Sequence, residues 1–432
     1  MKIRLIKTSE RGFAATLGRI INRGTRSSGG VEKKVAAIIR AVKVKGDRAV
    51  FHYTRLYDGV RLTRRTVEVS KREVDQAVKK TPRRDLRTLR LAAKRIAAFH
   101  RRQIEKSWGY RDPIGLFLGQ RITPLERVGV YVPGGKASYP STVLMNAIPA
   151  KVAGVKELIM TSPAGRDGAL NPLILAAARF AGVSRIFRVG GSQAIAALAF
   201  GTESIPKVDK IVGPGNIYVA TAKRLVFGEV NIDSIAGPSE ILLVADGSAD
   251  PEHVAADMLS QAEHDELAAA LCVTPSLALA RRIRAALERK TRETKRRAIT
   301  LKALENYGAI IVCRGLAEAI DLANAIAPEH VELLVREPQK WARSIRNAGA
   351  LFVGPYSTPP LGDYMAGPNH VLPTGGTARF FSPLGTYDFL KRTSVIQAEK
   401  RALRSLAPDI ARLARLEGLD DHARAVEARF DK

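Results

Sequence analysis

Few residues in this chain could do chemistry, and their placement narrows what that chemistry is. There are seven histidines: His52, His100, His253, His264, His330, His370 and His422. Gln261 and His264 are three positions apart in an alanine-rich stretch with helical spacing, so both project from one face. His330 closes Ala327-Pro328-Glu329-His330, a proline-led loop directly before an expected strand, Val331–Val335. Asp363 follows Pro359-Pro360, and His370 ends Gly367-Pro368-Asn369-His370. An imidazole can bind a ligand or move a proton near neutral pH. Each histidine is equally at home as a hydrogen-bonded core or surface residue, and Glu329 and Asp363 as helix caps. There is no H-E-x-x-H, C-x-x-C or G-x-S-x-G, so zincin, zinc-ribbon and serine-hydrolase readings drop out.

A second group is made of glycines. Val132-Pro133-Gly134-Gly135 follows an expected strand and precedes a helix starting near Ser141-Thr142. Val189-Gly190-Gly191-Ser192-Gln193 and Gly213-Pro214-Gly215-Asn216 have the same layout. Glycine lets backbone approach a ligand, and a helix start offers free N–H groups to an anion. None is a G-x-G-x-x-G fingerprint. Singly each reads as a turn; together they suit a nucleotide or other anionic ligand.

The elements that must position these residues alternate. Val31, Val35, Ile38, Ile39 and Val42 recur at helical spacing, as do Leu86, Leu89, Leu91 and Ile96, so residues 31–104 read as helices. From Val128 onward, short β-rich runs alternate with helix-length segments. The runs are Val128–Val132, Glu157–Met160, Arg185–Val189, Lys210–Val212, Ile241–Val244, Leu271–Thr274, Ile310–Cys313, Val331–Val335 and Leu351–Val353. Asn171–Phe180 and Pro251–Leu267 are examples of the helical segments. This predicts an α/β fold with mainly parallel strands in two sheets. Ligands are then expected in loops just after the strands, at their carboxyl ends. The tail from Ala398 reads as helix.

Composition fits a globular protein of 432 residues, with 46% hydrophobic and 26% charged side chains. No apolar run is long enough to span a membrane, and Met1–Arg11 lacks the apolar core of a secretory signal. Cys272 and Cys313 follow apolar runs and read as core thiols of a reducing cytoplasm. Lys and Arg outnumber Asp and Glu 70 to 42, a formal charge of +28. Residues 1–120 hold 31 basic and 10 acidic side chains, which is +21 of that excess. Such a surface can attract nucleic acid. The basic residues alternate with a helical apolar pattern and lack interleaved aromatics, as on a solvated helical face.

Long strings of the chain resemble the histidinol dehydrogenase family. They are Glu126-Arg127-Val128-Gly129-Val130-Tyr131-Val132-Pro133-Gly134-Gly135, Gly213-Pro214-Gly215-Asn216, Ala236-Gly237-Pro238-Ser239-Glu240, Leu259-Ser260-Gln261-Ala262-Glu263-His264-Asp265, Ala327-Pro328-Glu329-His330, Gly362-Asp363-Tyr364, Asn369-His370-Val371-Leu372-Pro373-Thr374 and Glu417-Gly418-Leu419. They stand in family order across residues 126–422. The first 30 residues carry little of the likeness.

The resemblance implies a cytoplasmic enzyme of the last steps of histidine biosynthesis. It would be zinc-dependent and oxidise L-histidinol through L-histidinal to L-histidine with two molecules of NAD. By matching position, zinc would be held by Gln261, His264, Asp363 and His422. His330 would take the hydroxyl proton and Glu329 would activate water for the aldehyde step. Ser239, Gln261, His264, His330, Asp363, Glu417 and His422 would contact substrate; Tyr131, Gln193 and Asn216 would contact NAD.

The resemblance also implies an α/β fold of two incomplete Rossmann-like domains with mainly parallel sheets, plus small N- and C-terminal helical segments. The domains would be 31–130 with 237–378, and 131–236 on the NAD side. They are flanked by an N-terminal segment, 1–30, and a C-terminal segment, 379–432, that reaches the partner subunit of a homodimer with composite sites. Departures are small: Ala366 stands where serine is common, and Ser382-Pro383-Leu384-Gly385 matches loosely. A related zinc and NAD dehydrogenase of another small alcohol is the neighbouring alternative. A nucleic-acid-binding protein on this scaffold is the alternative from another class, which the intact metal and base positions weigh against.

Overall fold

The computed structural model describes residues 3–25, 29–134, 139–235 and 237–430. Gly135 and Ala236, from two of the strings above, lie outside them. The chain divides into two compact units, 1–103 with 126–389, and 104–125 with 390–432.

The larger unit contains two fully parallel sheets. One has six strands in the order Arg4–Lys7, Ala309–Val312, Ala269–Thr274, Glu240–Ala245, His330–Leu334, Ala350–Val353. The other has five: Arg185–Phe187, Glu157–Thr161, Arg127–Tyr131, Lys210–Val212, Asn231–Ile232. Every one of the nine expected runs is a strand in one of these sheets. The inner strands Glu240–Ala245 and Ala269–Thr274 are buried along their whole length, because helices cover both faces.

The strand order reverses beside Glu240–Ala245 in the first sheet and beside Arg127–Tyr131 in the second. His330 pairs with Ile241 across the first reversal. Val130 pairs with Val212 across the second.

The helices follow local signals. Asp250 accepts a hydrogen bond from Glu252 N–H and Pro251 opens the helix Pro251–Ala262. Expected to run to Leu267, this helix stops at Ala262. The following residues then form turns, with His264 N–H on Gln261 C=O at 3.2 Å. His264 therefore sits just beyond the helix end, not on its face. Lys71–Lys80 opens with a reciprocal Ser70–Glu73 capping box.

The smaller unit has an antiparallel sheet in the order Leu390–Gln397, Phe117–Pro124, Trp108–Arg111. Two helices, Lys400–Leu416 and Asp420–Glu427, complete it, with Ala411, Ala414 and Ala423 forming their buried contact. The C-terminal segment is thus not only helical. Its strand Leu390–Gln397 is mostly exposed, so it carries no apolar alternation for a sequence reading to detect.

Candidate active site

The helix Leu316–Ile326 ends at Ala327, which has φ +50°, the one positive value among the described non-glycine residues. An L-residue there costs about 1–2 kcal/mol. It turns the chain abruptly into Pro328-Glu329-His330. His330 is the first residue of its strand rather than part of the preceding loop.

Glu329 and His330 are both buried, and one neighbour holds both. Glu240 opens the adjacent strand. Its N–H donates to Glu329 Oε2 at 2.9 Å. Its carbonyl oxygen lies 3.1 Å from His330 Nδ1. A carbonyl oxygen can only accept, so Nδ1 carries a proton there, and Nε2 is the nitrogen that can gain or lose one. Among the described residues Nε2 has no hydrogen-bond partner. It faces Asp363 Oδ1 at 3.8 Å, too long for a hydrogen bond.

Asp363 lies on a short helical turn, Gly362–Ala366, and its carbonyl oxygen is 3.0 Å from His370 Nδ1. Phe352 packs beside His330, ring centres 5.8 Å apart. These groups line a cavity of about 650 Å³ that also meets Asn369 and Leu372.

The electrostatics are those of a crowded polar cleft. Burial pushes Glu329 up to about 7, although His330 and the Glu240 N–H oppose it. Burial works against a charge on His330, but Glu329 and Asp363 outweigh it and hold the imidazole above its ordinary value. Burial alone would raise Asp363; the surrounding His330, His370 and His264 keep it below the usual carboxylate range. Desolvation lowers His264 despite the attraction of Asp363.

Gln261 is buried at the end of its helix, and its amide Nε2 has no partner among the described residues. Since the two ends of an amide are interchangeable in such an assignment, this is a buried, unengaged donor or acceptor. Among the described residues no three His, Cys, Asp or Glu side chains are grouped so as to hold a metal. Gln261, His264 and Asp363, three of the four residues that the resemblance names for zinc, lie in this unit, and their donors are of the kind zinc takes. Ser239 is half-buried on the loop entering Glu240–Ala245.

Glu417 and His422 belong to the smaller unit. Glu417 caps Lys400–Leu416, and His422 lies in the first turn of Asp420–Glu427. Arg415 ties the two helices together through Asp420 at 3.0 Å and Glu427 at 2.9 Å.

The three expected cofactor residues sit at the carboxyl ends of the five-stranded sheet. Tyr131 ends its strand, and its hydroxyl accepts the N–H of Gly191 at 3.1 Å. Burial pushes its pKa up to about 12. Gln193 lies buried in the first turn of Gly191–Phe200, a helix with no side-chain cap. Asn216 caps Ile217–Val226, accepting from Tyr218 N–H at 3.0 Å and Val219 N–H at 3.2 Å. Gly213 has φ +115°, and a Cβ there would meet Tyr131 O at 2.1 Å, so only glycine fits. Lys223 donates to Gly213 O at 3.0 Å, and Asp233 accepts the Gly213 N–H at 2.8 Å. Lys223 and Asp233 form a buried ion pair with each other.

Glu240, Lys223 and Asp233 were not singled out from the sequence. An acidic residue opening the otherwise apolar run Glu240-Ile241-Leu242-Leu243-Val244-Ala245 was the available signal for the first. Nothing local marks the other two.

A family model described as histidinol dehydrogenase matches residues 21–430. A histidinol dehydrogenase of Syntrophotalea carbinolica is 54% identical over 428 residues, covering 99% of each chain. One of Aquifex aeolicus is 53% identical over 398 residues, 92% of each. The crystal structure of histidinol dehydrogenase from Elizabethkingia anophelis superposes with a TM-score of 0.93 at 33% identity, covering 100% of this chain and 99% of that one. With that match running through the fold and both strand-end clusters, the chain belongs to the histidinol dehydrogenase family.

Proposed function

We propose that this chain oxidises L-histidinol through L-histidinal to L-histidine, with zinc and two molecules of NAD. The observation that carries the reading is the Glu329–His330 pair. Two proton-handling groups of different strength are fixed by one backbone unit, and the His330 ring reaches a cavity that Asp363 also lines. Zinc would be held by Gln261, His264, Asp363 and His422, orienting the substrate's imidazole and amine, and NAD by Tyr131, Gln193 and Asn216, to receive hydride. Gln261's unengaged amide and the depressed Asp363 fit the metal. The uncapped helix start at Gly191 fits an anionic cofactor.

In the alcohol step, His330 Nε2 accepts the hydroxyl proton as the carbinol carbon loses hydride. In the aldehyde step, Glu329, raised toward neutrality, takes a proton from the water that adds to the carbonyl carbon. The hydrate then loses the second hydride, and the acid results. Ser239 and Glu417 contact substrate. A metal held by Asp363 would draw on the same carboxylate that faces His330, and the imidazole would then lie nearer the range of a base.

We place His422 and Glu417 in the partner subunit's site, so that the homodimer has composite sites. The exposed Leu413, Leu416 and Leu419 on the same two-helix segment support this, as large apolar side chains left open to a partner. Among the described residues no helix is long and apolar enough to cross a membrane. Two free, buried cysteines support a cytoplasmic setting.

Metal analysis of the purified chain with a histidinol and NAD assay tests the reading. Bound zinc and turnover lost on chelation are expected. Turnover of another alcohol but not histidinol would overturn the substrate. Removing residues 408–432 should empty the site of metal; full zinc occupancy in the shortened chain would remove the composite-site argument.

A further inference from the structure

Arg23 stands far from the cleft in sequence, near the start of the stretch that the family model matches, yet it is only 6% exposed. All five of its N–H donors are used. Nε donates to Leu267 O at 2.6 Å. Nη1 donates to Ile20 O and to Glu240 Oε2, each at 3.1 Å. Nη2 donates to Pro238 O at 3.0 Å and Ser239 O at 3.1 Å. The second oxygen of Glu240 accepts the Gly375 N–H at 2.8 Å. The loop Pro238-Ser239-Glu240 is therefore held by its carbonyls and by its carboxylate together. The main chain of that same Glu240 touches both Glu329 and His330.

We propose that Arg23 and Glu240 are positioning residues for the two proton-handling groups. The guanidinium fixes the Pro238-Ser239-Glu240 backbone, and that backbone aims the Glu329 carboxylate and the His330 ring. Neither side chain of the pair touches the reacting atoms. This rests on the roles proposed above for Glu329 and His330. An ammonium cannot replace the guanidinium, because a point charge with three donors cannot serve five acceptors spread over three chain segments. A displacement of about 1 Å in a catalytic group is enough to cost roughly a hundredfold in rate.

The test uses the full-length chain with zinc present and two variants. Arg23→Lys keeps the charge opposite Glu240 but gives up the fork. The double variant Arg23→Met with Glu240→Met removes both buried charges together, so that no unpaired charge is left, while the backbone groups they held lose their partners. The expected result is kcat lower by about 10- to 100-fold in each. The thermal midpoint of the double variant should fall, but KM for NAD and zinc content should stay close to wild type, and the loss of kcat should persist at temperatures well below each variant's midpoint. A merely structural role would instead leave wild-type kcat in the folded protein at those temperatures.

Wild-type kcat in either folded variant overturns the proposal, and if one variant does not fold the other decides. If the unaltered chain itself fails to turn over histidinol, the functional reading falls instead, and the two failures are told apart by that control.

Discussion

The candidate site residues of the larger unit lie at opposite ends of its two parallel sheets. In the five-stranded sheet, Tyr131 and the Gly190 and Gly213 loops lie at carboxyl ends, where helix starts supply N–H groups. In the six-stranded sheet, Ser239, Glu329 and His330 lie at amino ends. Two helices finish there, Pro251–Ala262 carrying Gln261 and Leu316–Ile326 leading to Glu329. A helix start carries partial positive charge and a helix end partial negative charge. One pole of the unit thus suits phosphate, and the other suits a metal ion or a protonated amine. The candidate cofactor residues of the five-stranded sheet follow strands, as expected, whereas Ser239, Glu329 and His330 of the six-stranded sheet precede or open them. The poles also differ in how far they are satisfied. Tyr131 and Asn216 already have partners, whereas Gln261 and His330 each keep a buried nitrogen with no partner among the described residues.

The strongest way to break this contrast is His264→Ala. If the negative pole is the metal pole, zinc falls to background by elemental analysis and turnover falls by roughly a thousandfold or more, the several kcal/mol that a catalytic metal supplies. NAD binding, measured by fluorescence titration, should hardly change, because its residues lie on the other sheet. Zinc retained at wild-type level would remove His264 from the ligand set.

Glu329→Gln sharpens the division of labour within that pole. The amide can still accept from the Glu240 N–H, so the geometry survives while the base is lost. Aldehyde oxidation should fall by about 10²- to 10⁴-fold, and alcohol oxidation by much less. Equal losses with histidinol and with histidinal would contradict the role in activating water.

Lys223→Met strikes the positive pole. The variant leaves Asp233 buried and unpaired behind Gly213, a loss of about 3–5 kcal/mol when one partner of such a pair is removed. The urea midpoint should drop, and KM for NAD should rise while zinc content holds. Loss of zinc with unchanged NAD affinity would mean that the two poles are not separable.

How much of this was legible beforehand depends on burial. Nine of the eleven parallel strands were visible because each is a short, mostly apolar run, the inner ones buried along their length. Arg4–Lys7, Trp108–Arg111, Phe117–Pro124 and Leu390–Gln397 are edge or partly exposed strands, and their side chains show no such run. The site residues were found through string resemblance; their types and spacing alone left caps and core histidines open. What no local pattern could reveal is the wiring through the main chain. Arg23 reaches Glu240 across more than two hundred residues, and Glu240 acts on Glu329 and His330 through its peptide groups, which every residue type shares.

Glu332 offers a smaller, pH-dependent contrast with the Lys223–Asp233 pair. It lies fully buried two residues beyond His330, and neither oxygen has a hydrogen-bond partner among the described residues. Burial, with Asp257 facing it, pushes it up to about 9, and the nearby Cys272 thiol of the same sheet supplies no positive charge. In the unfolded chain a glutamate titrates near about 4.3. Between those values the folded state keeps a proton that the unfolded state releases, so stability falls as pH rises. The slope contributed by this one group reaches at most about 1.4 kcal/mol per pH unit. Urea titrations from acid to alkaline pH should show Glu332→Gln losing less stability than wild type; parallel curves would place the proton elsewhere.

Asn216 gives the finest test, because capping and cofactor contact fall on one side chain. Asn216→Ala should cost about 1 kcal/mol of stability from the lost cap, along with weaker NAD binding, and so cannot separate the two. Asn216→Asp can. A carboxylate caps the Tyr218 and Val219 N–H groups as well as the amide does, so the denaturation midpoint should stay within error. It removes the amide's donors, however, and places negative charge at the helix start that is meant to face an anionic cofactor. KM for NAD should therefore rise several-fold, and the increase should shrink as salt screens the added charge. If the Asn216→Asp variant bound NAD as well as wild type, the positive pole would be a matter of fold alone, and the cofactor would lie elsewhere.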